Sequence, residues 1–355
     1  LIVPYYSTIG GWVIKYLVEY LRGNVQKVSE DGYFGSFIAD SWQVEAWFLV
    51  FAVLVFAIIL GGVKNGVELM SKIMMPVLVV LAVIVAIYSM TRPGAMEGVK
   101  YFLIPNFKNF SWMTVVTAMG QMFYSLSIAM GILYTYGSYM HKKLDMEQST
   151  TQVEIFDTGI AILAGLMIIP AVYTFMGTEG MSAGPGLMFV SLPKVFKAMG
   201  AAGVLVGIVF FLMVSFAAVT SSVSVMESIV SNIIDRFHVS RKKGTVLVTI
   251  YACIVGVIVC LGYNVLYFEL KLPNGAVAQI LDLMDYLSNN LLMPTVALLS
   301  CILIGWVVKP QTIIDEVTIG GYKFGRKKLY IVMVKFVAPV LLAALLLQSL
   351  GVFSL

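Results

Sequence analysis

The sequence predicts an all-α polytopic membrane protein with about nine bilayer-crossing helices, and three observations carry that expectation. Of its 355 residues, 60% are hydrophobic and only 12% charged, whereas soluble domains are about 45–50% apolar and about 25% charged. Mean hydropathy is +0.93. The apolar residues also gather into runs of the roughly 20 residues that a helix needs to cross about 30 Å of hydrocarbon.

The runs lie at about 1–22, 44–62, 67–90, 111–139, 152–177, 200–235, 244–262, 276–307 and 328–353. The first carries Tyr5, Tyr6 and Trp12, aromatics of the kind that anchor span ends or close over a ligand. Trp112–Tyr139 is long enough to cross, yet near its midpoint it holds Ser125, Ser127 and Gly131 and no charge. Backbone can open at that depth only where it lines a cavity, as in many secondary transporters. The fifth run carries Asp157, with Glu154 nearer its end. A carboxylate within a span costs about 2.5–3.5 kcal/mol on insertion scales, so it faces a partner or a wet cavity. The sixth carries Ala217, Thr220 and Ser221 at i, i+3 and i+4, one helix face, where a carbonyl and two hydroxyls can surround a small hard cation. The eighth brings Asp282 and Asp285, and Asp235 marks the end of the sixth. Several runs exceed 20 residues, which predicts tilt or extension into the aqueous layers. Each feature also has a plainer use: membrane serines back-bond to their own carbonyls, and aspartates near helix ends sit in water.

Of the 23 Lys and Arg, 13 fall in the loops after spans two, four, six and eight, against 8 in the alternate loops. The richer side is expected to be cytoplasmic, which puts the N-terminus of this chain inside and its C-terminus outside. Cys253, Cys260 and Cys301 all lie in apolar spans and read as small buried hydrophobes. His141 and His238 sit in basic loops without a carboxylate or cysteine cluster, so a zinc site or an intramembrane enzyme is poorly supported. No nucleic-acid signature is present. The stretch 178–199 has its own Gly-Pro turn chemistry and is expected to form an extracellular lid.

Several pieces occur together in order: Tyr5-Tyr6 through Trp12, Gly66 through Pro76, Gly120-Gln121 through Ser127, Thr135 through Tyr139, Asp157-Thr158, Gly184-Pro185-Gly186 through Leu192-Pro193, Ala217 through Ser222, and Asp282 through Asn290. The set resembles the neurotransmitter:sodium symporter family, specifically its bacterial amino-acid transporter branch. The resemblance implies a LeuT-type bundle of inverted repeats with substrate and sodium held at discontinuous helices. It makes residues 1–355 one transporter domain comprising family helices 3–11, lacking the first two, in a bacterial cytoplasmic membrane.

Carried over by position, Ser125 and Asp157 would ligate one Na+, and the Ala217 carbonyl, Thr220 and Ser221 a second. An aspartate at 157 would supply the negative charge that chloride gives some relatives, so chloride dependence is not expected. Tyr6 would bind a substrate carboxylate beneath an aromatic lid, Tyr124. Ser125 and Ser221 would border the substrate, and Ser127, Met130 and Val225 would line its side-chain pocket. Met130, a flexible thioether, would admit a larger apolar or aromatic amino acid. Gln121 and Asp285 would belong to an outer gate, Tyr139 and Asp235 to an inner one.

The expectation is therefore Na+-coupled symport of an amino acid by alternating access, with no enzymatic activity. Without the first two helices the isolated chain is expected not to transport. The rivals are a non-transporting scaffold or inactive fragment that keeps the fold, and a LeuT-fold family using another ion. Oligomeric state is not legible.

Overall fold

The computed structural model describes residues 1–142, 144–177, 184–273 and 275–352. The chain divides into two compact units: residues 3–106 with 159–267, and residues 107–158 with 268–355 and the first two residues.

The first unit begins with helix α1 (Ile2–Leu21), short helices α2 (Val25–Val28) and α3 (Tyr33–Ala39), and α4 (Ser41–Leu60). Asp40 starts α4 by accepting from the backbone N–H of Gln43 at 3.2 Å and from its amide at 2.6 Å, satisfying donors that the first turn leaves unpaired. Hydrogen bonds from Gln43 hold the Asp40 carboxyl below its ordinary pKa. A π-helical stretch, Val63–Glu68, leads into α5 (Leu69–Met90), followed by α6 (Ala95–Leu103). Helix α9 (Met146–Met176) contributes its second half, and α10 (Leu192–Ala198), α11 (Ala201–Phe237) and α12 (Arg241–Leu261) complete the unit.

In lipid, apolar contact gives helices no reason to prefer one another over acyl chains, so close packing must come from small residues. Phe48 of α4 shows how. A Cβ at Gly11 of α1 would lie 2.7 Å from the Phe48 backbone nitrogen, and one at Gly256 of α12 would lie 2.2 Å from its ring. An aromatic core surrounds α1, where Tyr16 is fully buried against Tyr33, Phe189 and Phe211. Its hydroxyl donates to the Phe189 carbonyl at 3.0 Å.

The second unit contains α7 (Trp112–Ser125), α8 (Ile132–Tyr139) and the first half of α9. A two-stranded antiparallel hairpin, β1 (Leu270–Lys271) and β2 (Val277–Ala278), precedes α13 (Ile280–Asp285), which continues through the π segment Tyr286–Leu292 into α14 (Met293–Ile302) and a second π segment, Leu303–Val307. Then come α15 (Pro310–Thr318), α16 (Lys327–Val332), the π segment Met333–Val337 and α17 (Ala338–Ser349). Phe123, Ala297 and Leu342, from α7, α14 and α17, form one core cluster, and Leu272, Ala278 and Tyr286 form another.

Among the described residues seven helices are long and apolar enough to cross a membrane: Ser41–Leu60, Val63–Met90, Met146–Met176, Ala201–Phe237, Arg241–Leu261, Ile280–Val307 and Lys327–Ser349. The remaining two expected spans are α1 and the segment 111–139, which the structure divides into α7 and α8. Residues 178–183 of the expected lid lie outside the described residues; 187–198 are helical, π then α.

Candidate functional site

In the second unit, α7 stops at Ser125. Its last turn closes with Leu126 N–H donating to Met122 O at 3.0 Å and Ile128 N–H to Phe123 O at 3.0 Å. Beyond it Ser127 (φ 54°), Ala129 (φ 63°) and Gly131 (φ 83°) adopt left-handed backbone. That conformation costs a non-glycine residue about 1–2 kcal/mol and is retained where its surroundings enforce it. Two helix ends therefore meet an unwound stretch of six residues, 126–131. The end of α7 carries partial negative charge, with the carbonyls of Met122, Phe123 and Tyr124 already accepting from the turn that follows, and the first N–H groups of α8, which lack an intrahelical partner, carry partial positive charge. Such a break can take a cation on one side and an anionic group on the other.

Asp157 stands on α9, and Ser125 Oγ donates to its Oδ1 at 2.6 Å, the short distance of a hydrogen bond to an ionised acceptor. A carboxylate, a hydroxyl and a helix C-terminus make a set of hard oxygen donors with net negative charge, which fits Na+ and excludes softer metals. Tyr124, Ser127 and Met130 are half-buried beside or within the break. Behind it an apolar cavity of about 340 Å³ is bordered by Phe123, Ile128, Ala129 and Gly131. Gln121, one turn before Ser125, is exposed on a shallow hollow with Thr114 and Thr117. Asp285 accepts from the amide of Asn289 on its own helix at 2.6 Å. Tyr139 ends α8, 41% exposed.

In the first unit, Ala217, Thr220 and Ser221 occupy the less covered face of α11, while Ala218, Val219, Ser222 and Val223 on the other face are buried. Thr220 Oγ1 donates to the carbonyls of Phe216 at 3.0 Å and Ala217 at 3.1 Å, the back-bonding that hydroxyls make in helices. Two oxygens 3.1 Å apart can still share one cation, since hard cations of this size sit about 2.3–2.6 Å from each ligand. Tyr6 of α1 is hydrogen-bonded to the Ser221 side chain, and Val225, buried, lies one turn further on. Asp235, exposed, is 14 residues beyond Ser221, about 21 Å along the helix.

Three charged residues of the apolar runs, Lys15, Glu19 and Glu227, have partners that the sequence does not reveal. Lys15 and Glu19, both under 10% exposed, pair with each other, and Asn24 donates to Glu19 at 2.6 Å. Glu227 is fully buried and accepts from both ends of the Arg241 guanidinium, at 3.0 and 2.5 Å, while Arg241 also donates to the Ile59 carbonyl at 3.3 Å. The available signal was a carboxylate inside an apolar run, which marks a position needing a partner. In the second unit Glu147 accepts the backbone N–H groups of Gly325 and Arg326 at 2.8 and 3.0 Å. The Arg326 side chain donates to Glu154 at 2.7 Å, and that carboxylate, with Glu147, raises the guanidinium pKa above its ordinary value.

Residues 7–354 match the sodium:neurotransmitter symporter family. The chain is 32% identical to the uncharacterized sodium-dependent transporter YhdH of Bacillus subtilis, covering 100% of this chain and 78% of that one. It is 30% identical to an uncharacterized sodium-dependent transporter of Haemophilus influenzae, covering 98% and 76%. Its fold matches the crystal structure of MhsT in complex with L-phenylalanine with a TM-score of 0.85 and 32% identity, covering 98% of this chain and 78% of that one. The bundle is thus of the expected LeuT type, in a multi-pass membrane protein whose activity is sodium-coupled transport of a small molecule and not enzymatic catalysis. A match running from Ser7 almost to the last residue, joined to a helix that unwinds beside a spanning aspartate, makes the chain a member of the sodium:neurotransmitter symporter family.

Proposed function

We propose that the protein imports an apolar or aromatic amino acid across a bacterial cytoplasmic membrane, driven by co-transported Na+, and that it does so without chloride. The observation that carries this is the 2.6 Å contact between Ser125 and Asp157 at the end of a ruptured helix. Ser125 and Asp157 take one Na+; the Ala217 carbonyl, Thr220 and Ser221 take another. Asp157 brings a fixed negative charge, which removes the need for a dissolved anion beside the ion.

In the second unit Tyr124, Ser125, Ser127 and Met130 are assigned to the substrate, with Gln121, Tyr139 and Asp285 to gating. In the first unit Tyr6, Ser221 and Val225 are assigned to the substrate and Asp235 to gating. The free N–H groups at the start of α8 favour a carboxylate. The thioether of Met130 favours a large apolar side chain because it adapts to irregular surfaces. The phenylalanine bound to MhsT supports the same class. Na+ binding favours one conformation and substrate permits closure, each by differential affinity for the two states. Residues 1–355 belong to one transport domain with 178–199 as an outer lid, the N-terminus of this chain inside and its C-terminus outside.

The test is uptake of radiolabelled L-phenylalanine by the full-length protein in proteoliposomes under an inward Na+ gradient, with K+ as control and leucine, tryptophan, glycine and serine as competitors. Uptake that ignores Na+ overturns the coupling. Competition by glycine or serine alone overturns the substrate class.

A further inference from the structure

In the second unit the helical ladder is interrupted at facing places on two helices. The π segment Leu303–Val307 abuts the π segment Met333–Val337. Such bulges are uncommon and frequently mark functional sites. Gly305 permits the approach: a Cβ there would stand 3.3 Å from the Val334 carbonyl and 3.5 Å from the Lys335 side chain. The Lys335 stem therefore lies on Gly305, and its ammonium reaches over the Trp306 ring, 5.8 Å from the centroid. Lys309 follows at once, with a positive φ (73°) that lysine rarely adopts.

These residues line a pocket of about 300 Å³ together with Gln311 and Ile331. Its charge is unbalanced. Among the described residues neither Lys309 nor Lys335 forms an ion pair. The neighbouring carboxylate, Asp315, accepts from Gln311 at 2.6 Å. Lys335 lies within a spanning helix, eight residues from its start at Lys327 and so about 12 Å along it. A charge at such a place ordinarily has a partner.

We propose that this pocket holds the phosphate of an anionic phospholipid, gripped by Lys309 and Lys335, with the second amide hydrogen of Gln311, the one not given to Asp315, as a further donor. Two ammonium groups and an amide recognise a phosphate oxygen cluster, and basic pockets between spanning helices bind lipid headgroups in this way. The choice of a lipid over a dissolved phosphate rests on the pocket's rim. Trp306 and Phe336 pack edge to face there, 57% and 54% exposed, with Val307 67% exposed beside them. That is an apolar strip for an acyl chain below an interfacial tryptophan.

Delipidated protein titrated with short-chain phosphatidylglycerol, short-chain phosphatidylcholine or inorganic phosphate, read by native mass spectrometry, tests the assignment. Phosphatidylglycerol is expected to bind more tightly than phosphatidylcholine. Lys309→Gln and Lys335→Gln should each weaken it roughly fivefold, Lys335→Arg should largely keep it, and Lys271→Gln, in the distant hairpin, should leave it unchanged. Equal binding of the two lipids, or lipid selectivity that survives both glutamine substitutions, overturns the proposal. Inorganic phosphate binding as tightly as phosphatidylglycerol overturns the lipid assignment. Should Lys335→Gln fail to fold, Lys309→Gln decides alone, because its side chain is exposed: undiminished selectivity in that variant overturns the proposal.

Discussion

Ser125 and Asp157 are 32 residues apart in sequence, yet their side-chain oxygens lie 2.6 Å apart, one at the last residue of α7 and the other on α9. Because asparagine can accept the same hydrogen bond, Asp157→Asn removes charge and little else. The expected outcome is a loss of apparent Na+ affinity of about tenfold or more, equivalent to about 1.4 kcal/mol. Replacing chloride by gluconate should leave wild-type uptake unchanged but depress what remains in the variant. A variant with wild-type Na+ dependence would remove Asp157 from the ion's coordination.

Thr220 poses a sharper choice, because its hydroxyl already has partners in the carbonyls of Phe216 and Ala217. If it only back-bonds, Thr220→Val is silent for transport. If it turns its lone pairs to an ion, the valine variant should fold normally and lose one Na+ from the cycle. The Hill coefficient for Na+ would then fall from roughly 2 to roughly 1, since it cannot exceed the number of sites. Initial uptake rates over a Na+ series measure this directly.

The strain at the break predicts opposite signs for neighbouring substitutions. Ala129 holds φ 63°, so Ala129→Gly relieves backbone strain while loosening the unfolded chain, and the net change should be small or stabilising. Gly131 holds φ 83°, and Gly131→Ala should cost about 1–2 kcal/mol. Thermal unfolding in detergent should rank the proteins Ala129→Gly at or above wild type and Gly131→Ala below it.

How far the sequence foretold these features depended on the residue. The interruption after Ser125 was legible because hydroxyls and Gly131 sit at mid-span without a charge. Its left-handed residues Ser127 and Ala129 were not, since neither type favours that conformation and tertiary surroundings impose it. The pair Glu227–Arg241 was hidden because its members lie on different helices, α11 and α12. The run 276–307 hid the hairpin pairing of Val277 and Ala278, which delays the helix to Ile280. π segments leave no period of their own in so uniformly apolar a sequence.

Met130 gives a prediction about selectivity. It lies within the break and is half-buried. Met130→Phe puts a rigid ring where a flexible thioether adapts, so large substrates should suffer more than small ones. One methylene's worth of misfit changes preference by about 10-fold or more. Competition of leucine against tryptophan should shift toward leucine. An unchanged ratio would place Met130 outside the side-chain pocket.

Phe48 supplies the clearest packing test, because two glycines crowd it by different means. At Gly256 a new Cβ would meet the Phe48 ring, 2.2 Å away, whereas at Gly11 it would meet backbone, 2.7 Å from Phe48 N and 2.8 Å from Trp47 O. Both Gly256→Ala and Gly11→Ala should destabilise, overpacking commonly costing about 1–3 kcal/mol. Shrinking the ring distinguishes them. Phe48→Leu should restore most of the stability lost in Gly256→Ala, since the clash is with a side chain that has gone. The same change should not rescue Gly11→Ala, whose clash is with main chain that stays. Thermal unfolding of the two double variants, compared with their single parents, measures the coupling; equal rescue of both would mean that α1 and α4 are not held together through Gly11.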